Sequence, residues 1–266
     1  MEANRVTPAT TTIQRIDAGT MRLTLGAGAV FFLIGLLFIR FDLPEVFVLV
    51  SSLFIVLLAL PSYISLLRWL GVHRGLSLLI IFSLLPLMVE GFAVSSGFPY
   101  GPFFYFTHLG EPIAGLVPWT VAFAYLPILL GAITLACRSV GDRRYLRVGA
   151  GVFFLLIADL VIDPAAVYAG FWVWREPGLY YGIPLSNFLG WAFTGTLYLL
   201  LFRALAGWGQ RDPGCPPPAL TSSLFLIVCL WTGFLIRASL LIPAVIGVGF
   251  AVYLAFFLAK PRVPVQ

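Results

Sequence analysis

The sequence predicts an all-α polytopic membrane bundle of about eight transmembrane helices, with both termini on the cytoplasmic side. Three observations carry this. Hydrophobic residues make up 61% of the 266 and charged residues only 10%, and mean hydropathy is +1.02, far from the composition of a soluble domain. The apolar residues fall in runs of about twenty, the length that crosses a bilayer core. The charges divide unevenly between alternate connecting segments, as the positive-inside rule requires. This composition excludes a soluble enzyme, a secreted disulfide scaffold and a disordered tail protein.

Taken in order, residues 1–20 are polar and Thr-rich and read as a loosely ordered cytoplasmic tail. A single transmembrane helical domain covers 21–259, with candidate spans at 21–39, 46–67, 75–93, 113–137, 148–167, 186–206, 221–236 and 240–259. Residues 260–266 form a cytoplasmic C-terminal tail. The first run follows a basic segment, but it is long and shows no small-residue cleavage pattern, so it reads as a retained helix and not a signal peptide. Only Arg237 to Ser239 part the last two runs, and Pro243 interrupts the second, so a count of seven spans stays open.

With the N-terminus inside, thirteen basic residues gather on the cytoplasmic side: Arg5, Arg15, Arg22, Arg68, Arg74, Arg138, Arg143, Arg144, Arg147, Arg203, Arg211, Lys260 and Arg262. Three, Arg40, Arg175 and Arg237, remain opposite. The net charge of +5 is thus a topology signal, and it forms no basic face for nucleic acid. Fifteen of the sixteen basic residues are Arg, which points to a GC-rich, bacterial genome and to the cell membrane, and the low acidic count argues against a halophile. The proline-rich segment 207–219 reads as a cytoplasmic loop. No internal repeat supports an inverted-repeat transporter. Cys137, Cys215 and Cys229 have no CxxC or Cys/His spacing and read as small apolar fillers, with no disulfide framework and no thiolate metal site.

Three carboxylates interrupt the apolar runs: Glu90 in LLPLMVEGF, and Asp159 and Asp163 in LLIADLVIDPAAVY. An acid at such a depth costs several kcal/mol unless it is paired, hydrated or neutral, so each is a candidate functional residue. Asp159 and Asp163 are four apart, on one helix face about a turn from each other. Two like charges in a low dielectric do not both ionise comfortably, so at least one is expected to hold its proton and to serve as a donor. The plainer readings are that Glu90 is wet at the interface, that Asp163 caps a helix break at Pro164, and that Asp159 makes a structural hydrogen bond. Pro86 is expected to kink the third span.

Two outer loops, 94–112 and 168–185, are expected to form the site. They and the turns beside them carry Tyr100, Tyr105, Trp172, Trp174, Tyr180, Tyr181, Asn187 and Trp191, with Gly and Pro between the rings. An interfacial aromatic belt accounts for single rings. It does not account for the turns, which imply fixed loops lining a cavity. His108 and His73 lie on opposite sides, and no metal-ligand spacing is present, so metal is not expected. No phosphate loop, dinucleotide fingerprint or nucleophile elbow occurs, and no cofactor is expected. Arg237 could pair with one of the acids, but its place near a helix end favours snorkelling to the headgroups.

Glu90-Gly91, Gly97-Phe98-Pro99-Tyr100-Gly101 with Tyr105, Asp159 with Asp163-Pro164, Trp172, Trp174, Gly178, Tyr180 to Pro184, Asn187, Phe188, Gly190 and Trp191 together resemble the CruF-type carotenoid 1′,2′-hydratase family. The departures are Ser95-Ser96 before Gly97, where the family tends to have Thr next to that Gly, and Glu111 after Gly110. The resemblance implies a multi-pass membrane enzyme of carotenoid biosynthesis, a cofactor-independent hydro-lyase. It would add water to the terminal C-1′,2′ double bond of an acyclic end group such as that of lycopene, γ-carotene or a bacterioruberin precursor.

The residue chemistry fits. Hydrating such an alkene takes protonation of the less substituted carbon, a tertiary cation and capture by one water. A carboxylic acid in an apolar site supplies the proton, and the faces of Trp172, Trp174, Tyr180 and Tyr181 stabilise the cation. Asn187, Tyr100 or Tyr105 and a second carboxylate position the water. The pair Asp159 and Asp163 is expected to supply the acid and Glu90 to support the water, with the roles interchangeable. The expected partners are a carotenoid, water and membrane lipid, with a carotenoid glycosyltransferase or desaturase acting downstream. The rivals are a carotenoid end-group cyclase, a proton-coupled transporter and a carotenoid-binding scaffold. Clustering of the acids at the outer side, with no polar path inward, counts against transport.

Overall fold

A computed structural model describes residues 8–37, 46–106, 109–141, 143–207 and 214–260. The apolar runs form helices because a bilayer leaves the backbone no partner but itself. Eight are present among the described residues: α1 (Pro8–Leu37), α2 (Val46–Leu70), α3 (Val72–Ser96), α4 (Val121–Val140), α5 (Arg144–Tyr168), α6 (Leu185–Ala206), α7 (Ser222–Arg237) and α8 (Leu241–Ala259). Seven helical segments are long and apolar enough to cross a membrane, and Met21–Leu37 of α1 is a shorter apolar helix. The chain is an all-α polytopic membrane bundle. The Thr-rich segment ahead of Met21 continues α1 back to Pro8 and is helical where a loose tail was expected.

The doubtful last pair resolves into two helices. α7 ends at Arg237, where the amides of Ala238, Ser239 and Leu240 turn back onto Phe234, Ile236 and Leu235. Pro243 lies in the first turn of α8, where a missing N–H has no intrahelical partner to lose. Pro61, Pro86, Pro127 and Pro164 lie within α2, α3, α4 and α5. The helix therefore runs on past Asp163. At the other end of α3, Gly97 takes the left-handed conformation, φ 79°, and its N–H closes onto Ala93 O at 2.7 Å.

The start expected for the fourth span was too early. Residues 112–118 form a small hairpin, β2 (Pro112–Ile113) against β3 (Val117–Pro118), because Pro112, Gly115 and Pro118 punctuate an otherwise apolar string. The strand β1 (Phe103–Tyr105) pairs with β4 (Trp172–Trp174) in antiparallel register, Phe103 opposite Trp174 and Tyr105 opposite Trp172. The two outer loops are thus joined, and Phe106 N to Phe171 O and Arg175 N to Pro102 O extend the ladder at both ends, each 2.9 Å.

α4 and α7 are buried on most sides, and the outer helices turn Leu49, Leu53, Leu57, Phe153 and Phe256 outward, as lipid-facing surfaces do. Between helices, where lipid is as apolar as Leu, close packing takes over as the adhesive. A Cβ placed on Gly35 would strike the Leu230 carbonyl, and one on Gly233 the Phe32 carbonyl, so α1 and α7 touch backbone to backbone. Ser62 Oγ donates to Leu220 O at 2.8 Å and Ser223 Oγ to Ala59 O at 3.2 Å, tying α2 to the start of α7.

The cysteine reading is corrected. Cys137 and Cys215 form a disulfide with Cα atoms 5.9 Å apart, across 78 residues of sequence, and only Cys229 is a buried free thiol. Folding brings the end of α4 to the proline-rich segment, a proximity that spacing along the chain does not reveal. The neighbouring Arg138 guanidinium donates to Pro216 O at 3.1 Å.

Candidate functional site

The helices leave a cavity of about 350 Å³, within the range of small-ligand sites. Its polar end lies under the β1 and β4 strands, where α3, α5 and the first turn of α6 converge. Glu90, Tyr100, Tyr105, Asp163, Trp172, Trp174, Asn187 and Trp191 all line it. Three expected residues do not line it. Asp159 stands one turn behind Asp163. Tyr180 and Tyr181 fasten the second loop from outside.

Asn187 organises the acids. Its Nδ2 donates to Asp163 Oδ2 at 2.6 Å and to Asp159 Oδ2 at 3.2 Å, and all three side chains are buried. Among the described residues neither carboxyl has a salt bridge to a cation. The two acids are also within hydrogen-bonding reach of each other. An amide has two N–H groups and two carboxylates have four oxygens, so Asn187 alone does not satisfy the pair. Asp159 Oδ1 is buried with no hydrogen-bond partner among the described residues.

Glu90 faces the cavity from α3 and accepts from Tyr105 Oη at 3.2 Å. Burial, together with the Glu90 charge beside it, pushes the Tyr105 phenol well above its ordinary range and keeps it a donor. Tyr100 is raised likewise, burial first, and donates to Thr194 Oγ1 at 3.1 Å. The Tyr100 carbonyl is held by Trp174 Nε1 at 3.0 Å and Ser186 Oγ at 3.2 Å. Gly190 allows this fit, because a Cβ there would stand 2.9 Å from Pro99 O and 2.5 Å from the Tyr100 ring. The rings mesh edge to face, Phe103 with Tyr105 at 5.4 Å and Tyr105 with Trp172 at 5.8 Å between centroids.

Tyr180 has a structural place that Pro164 explains. The proline removes the N–H that would reach Leu160 O in α5, and Tyr180 Oη donates to that carbonyl at 2.9 Å. Tyr181 Oη accepts the Ile242 amide at 3.3 Å, linking the loop to α8. His108 lies outside the described residues. Arg237, at the end of α7, is exposed, and the described residues show no ion pair between it and the three acids.

A family model described as "Carotenoid biosynthesis protein" matches residues 46–254, which includes the three acids, Asn187 and the aromatic residues around them. The chain belongs to that family. The bisanhydrobacterioruberin hydratase of Haloarcula japonica is 34% identical to it over 151 residues, 54% of this chain and 50% of that protein. The chain thus matches about half the length of this curated relative. No solved structure matches it.

In this carotenoid biosynthesis family member the far part of the cavity is apolar and comes from helices where sequence reasoning placed no function. Ile34 of α1, Phe54 and Leu58 of α2, Phe123 of α4 and Trp231 of α7 line it. Nothing in a single apolar run marks such residues, since a ring facing a cavity and a ring facing a neighbouring helix look alike.

Proposed function

We propose that this protein adds water to the terminal double bond of an acyclic carotenoid end group and yields a tertiary alcohol. The Asp159, Asn187 and Asp163 cluster carries this reading, because it puts buried acids, with no salt bridge among the described residues, at the polar end of an otherwise aromatic, apolar cavity. The polyene lies along the apolar part, and only its end reaches Asp163.

In the proposed step the Asp163 carboxyl, sharing its proton with Asp159, protonates C-2′. The π bond supplies the electrons for the new C–H bond and leaves a tertiary cation at C-1′. The faces of Trp172 and Trp191 oppose that charge. Water bonds to C-1′ through oxygen and loses a proton to a carboxylate, Glu90 or the aspartate pair, so alkene and water are fully accounted for in the alcohol. Asn187 holds the acids in register, and Tyr105 holds Glu90. The similarity to the bisanhydrobacterioruberin hydratase of Haloarcula japonica supports the same class of reaction. The new hydroxyl would suit a glycosyltransferase or desaturase acting later.

Expression in a host that makes lycopene or γ-carotene tests the proposal. The expected product is a more polar pigment, heavier by one water, with the same chromophore. An isomer of unchanged mass with a shortened chromophore would mean cyclisation. Unaltered pigment with both substrates would contradict the reading.

A further inference from the structure

Behind the polar end of the cavity lies a second group of polar atoms that the proposed step leaves unused. Tyr125 of α4 is 7% exposed, Tyr198 of α6 is 3% exposed and Asp159 of α5 is fully buried. Tyr198 Oη and Asp159 Oδ1 are buried without a hydrogen-bond partner among the described residues, and beside Tyr125 Oη, equally buried, those residues offer only the Thr194 hydroxyl. Leaving one such atom dry costs about 1–3 kcal/mol, and two beside a barely satisfied phenol are more than packing tolerates without reason.

They belong to one place. The Tyr125 and Tyr198 rings meet edge to face at 5.0 Å. A Cβ on Gly195 would lie 3.9 Å from Tyr125 Oη and 2.8 Å from Leu155 Cδ1, which puts the phenol oxygen at the seam of α5 and α6, one turn from Asp159. The Tyr125 ring also packs on Trp191, one turn after Asn187, with centroids 5.2 Å apart. Tyr125 also lines the cavity, so the group opens onto it. Thr194, one turn before Tyr198, has its hydroxyl proton committed to Gly190 O and accepts from Tyr100.

We infer that Tyr125, Tyr198 and Asp159 Oδ1 form an internal water-binding site at the wall of the cavity, from which the reacting water is drawn. Buried waters make about three hydrogen bonds to such atoms, and this group offers two donors and a carboxylate acceptor. The inference rests on the hydration reading for its use of the water, but not for the water site itself. Tyr125 and Tyr198 are positioning residues: they hold water near the cation and give it no proton.

Two readouts test this on the full-length protein. Tyr125→Phe and Tyr198→Phe are compared with the unsubstituted protein for Tm in detergent, a measurement independent of activity. Phenols that bind water predict a fall of about 2–4 °C in each variant. An unchanged or raised Tm in both would overturn the site, since deleting a dry, unsatisfied hydroxyl relieves a cost. Pigment analysis in the lycopene host then reads the ratio of hydrated product to isomer of unchanged mass. Loss of positioned water predicts a ratio at least several-fold lower in both variants, because the cation loses a proton instead. A lowered Tm with an unaltered ratio would overturn the supply of reacting water. If the unsubstituted protein forms no hydrated pigment, the hydration reading fails, while the Tm comparison still decides the water site. If Tyr125→Phe does not accumulate, Tyr198→Phe decides alone, since Tyr198 does not line the cavity.

Discussion

Asn187 is the residue on which the two aspartates depend, since its single amide reaches both at 2.6 and 3.2 Å. Asp159→Asn or Asp163→Asn should abolish conversion of carotenoid while the protein still inserts into the membrane, as membrane-fraction yield beside pigment analysis would show. Near-normal activity in both would remove them as the acid. Asn187→Leu leaves both carboxyls without that donor and should cost about 1–3 kcal/mol of stability, read as a lower Tm in detergent. Tyr105→Phe removes the hydroxyl held on Glu90 and should slow conversion about ten-fold with little change in yield, because the ring contacts persist. The acids themselves were legible, because charge in an apolar run is costly wherever it occurs. Their division of labour was not. Nothing in the spacing of Asp159 and Asp163 says which faces a cavity, or that an Asn 24 residues after Asp163 joins them.

At the scale of elements, close contact between α1 and α7 decides whether the first helix stays in the bundle. Gly35→Val and Gly233→Val would each force a side chain into a facing carbonyl and should lower stability by about 1–3 kcal/mol. Gly26→Ala, on the same helix but with nothing within 4 Å of its added carbon, should be neutral. Comparing detergent Tm values of the three variants checks this. Helices were readable from apolar length alone, and the outer loops from their glycines and prolines. The pairing of β1 with β4 was not readable, since it joins Phe103 to Trp174 across two intervening helices. The hairpin at 112–118 was missed because its apolar residues matched a span while its turn residues were given too little weight.

For the whole molecule, the charge asymmetry makes a direct topological prediction. Glu176→Cys, on the β4 side, and Arg143→Cys, beside the start of α5, should label from opposite faces of the membrane with an impermeant maleimide, Glu176→Cys from outside. The native cysteines do not interfere, since Cys137 and Cys215 are paired and Cys229 is buried. Labelling of both variants from one face would overturn the thirteen-to-three reading. The disulfide was illegible for the same reason as the strand pairing: both are contacts made by the assembled bundle, and only the fold brings their partners together. The central claim is that this bundle brings a carotenoid end, a shared carboxylic proton and one water into a single cavity. Incubating membranes that contain the protein with lycopene in ¹⁸O-water, and measuring the mass of the pigment formed, tests it most directly. The expected product is an alcohol whose new oxygen carries the label, formed by the unsubstituted protein and not by the Asp163→Asn variant. A product without the label, or equal labelled product from the variant, would contradict it.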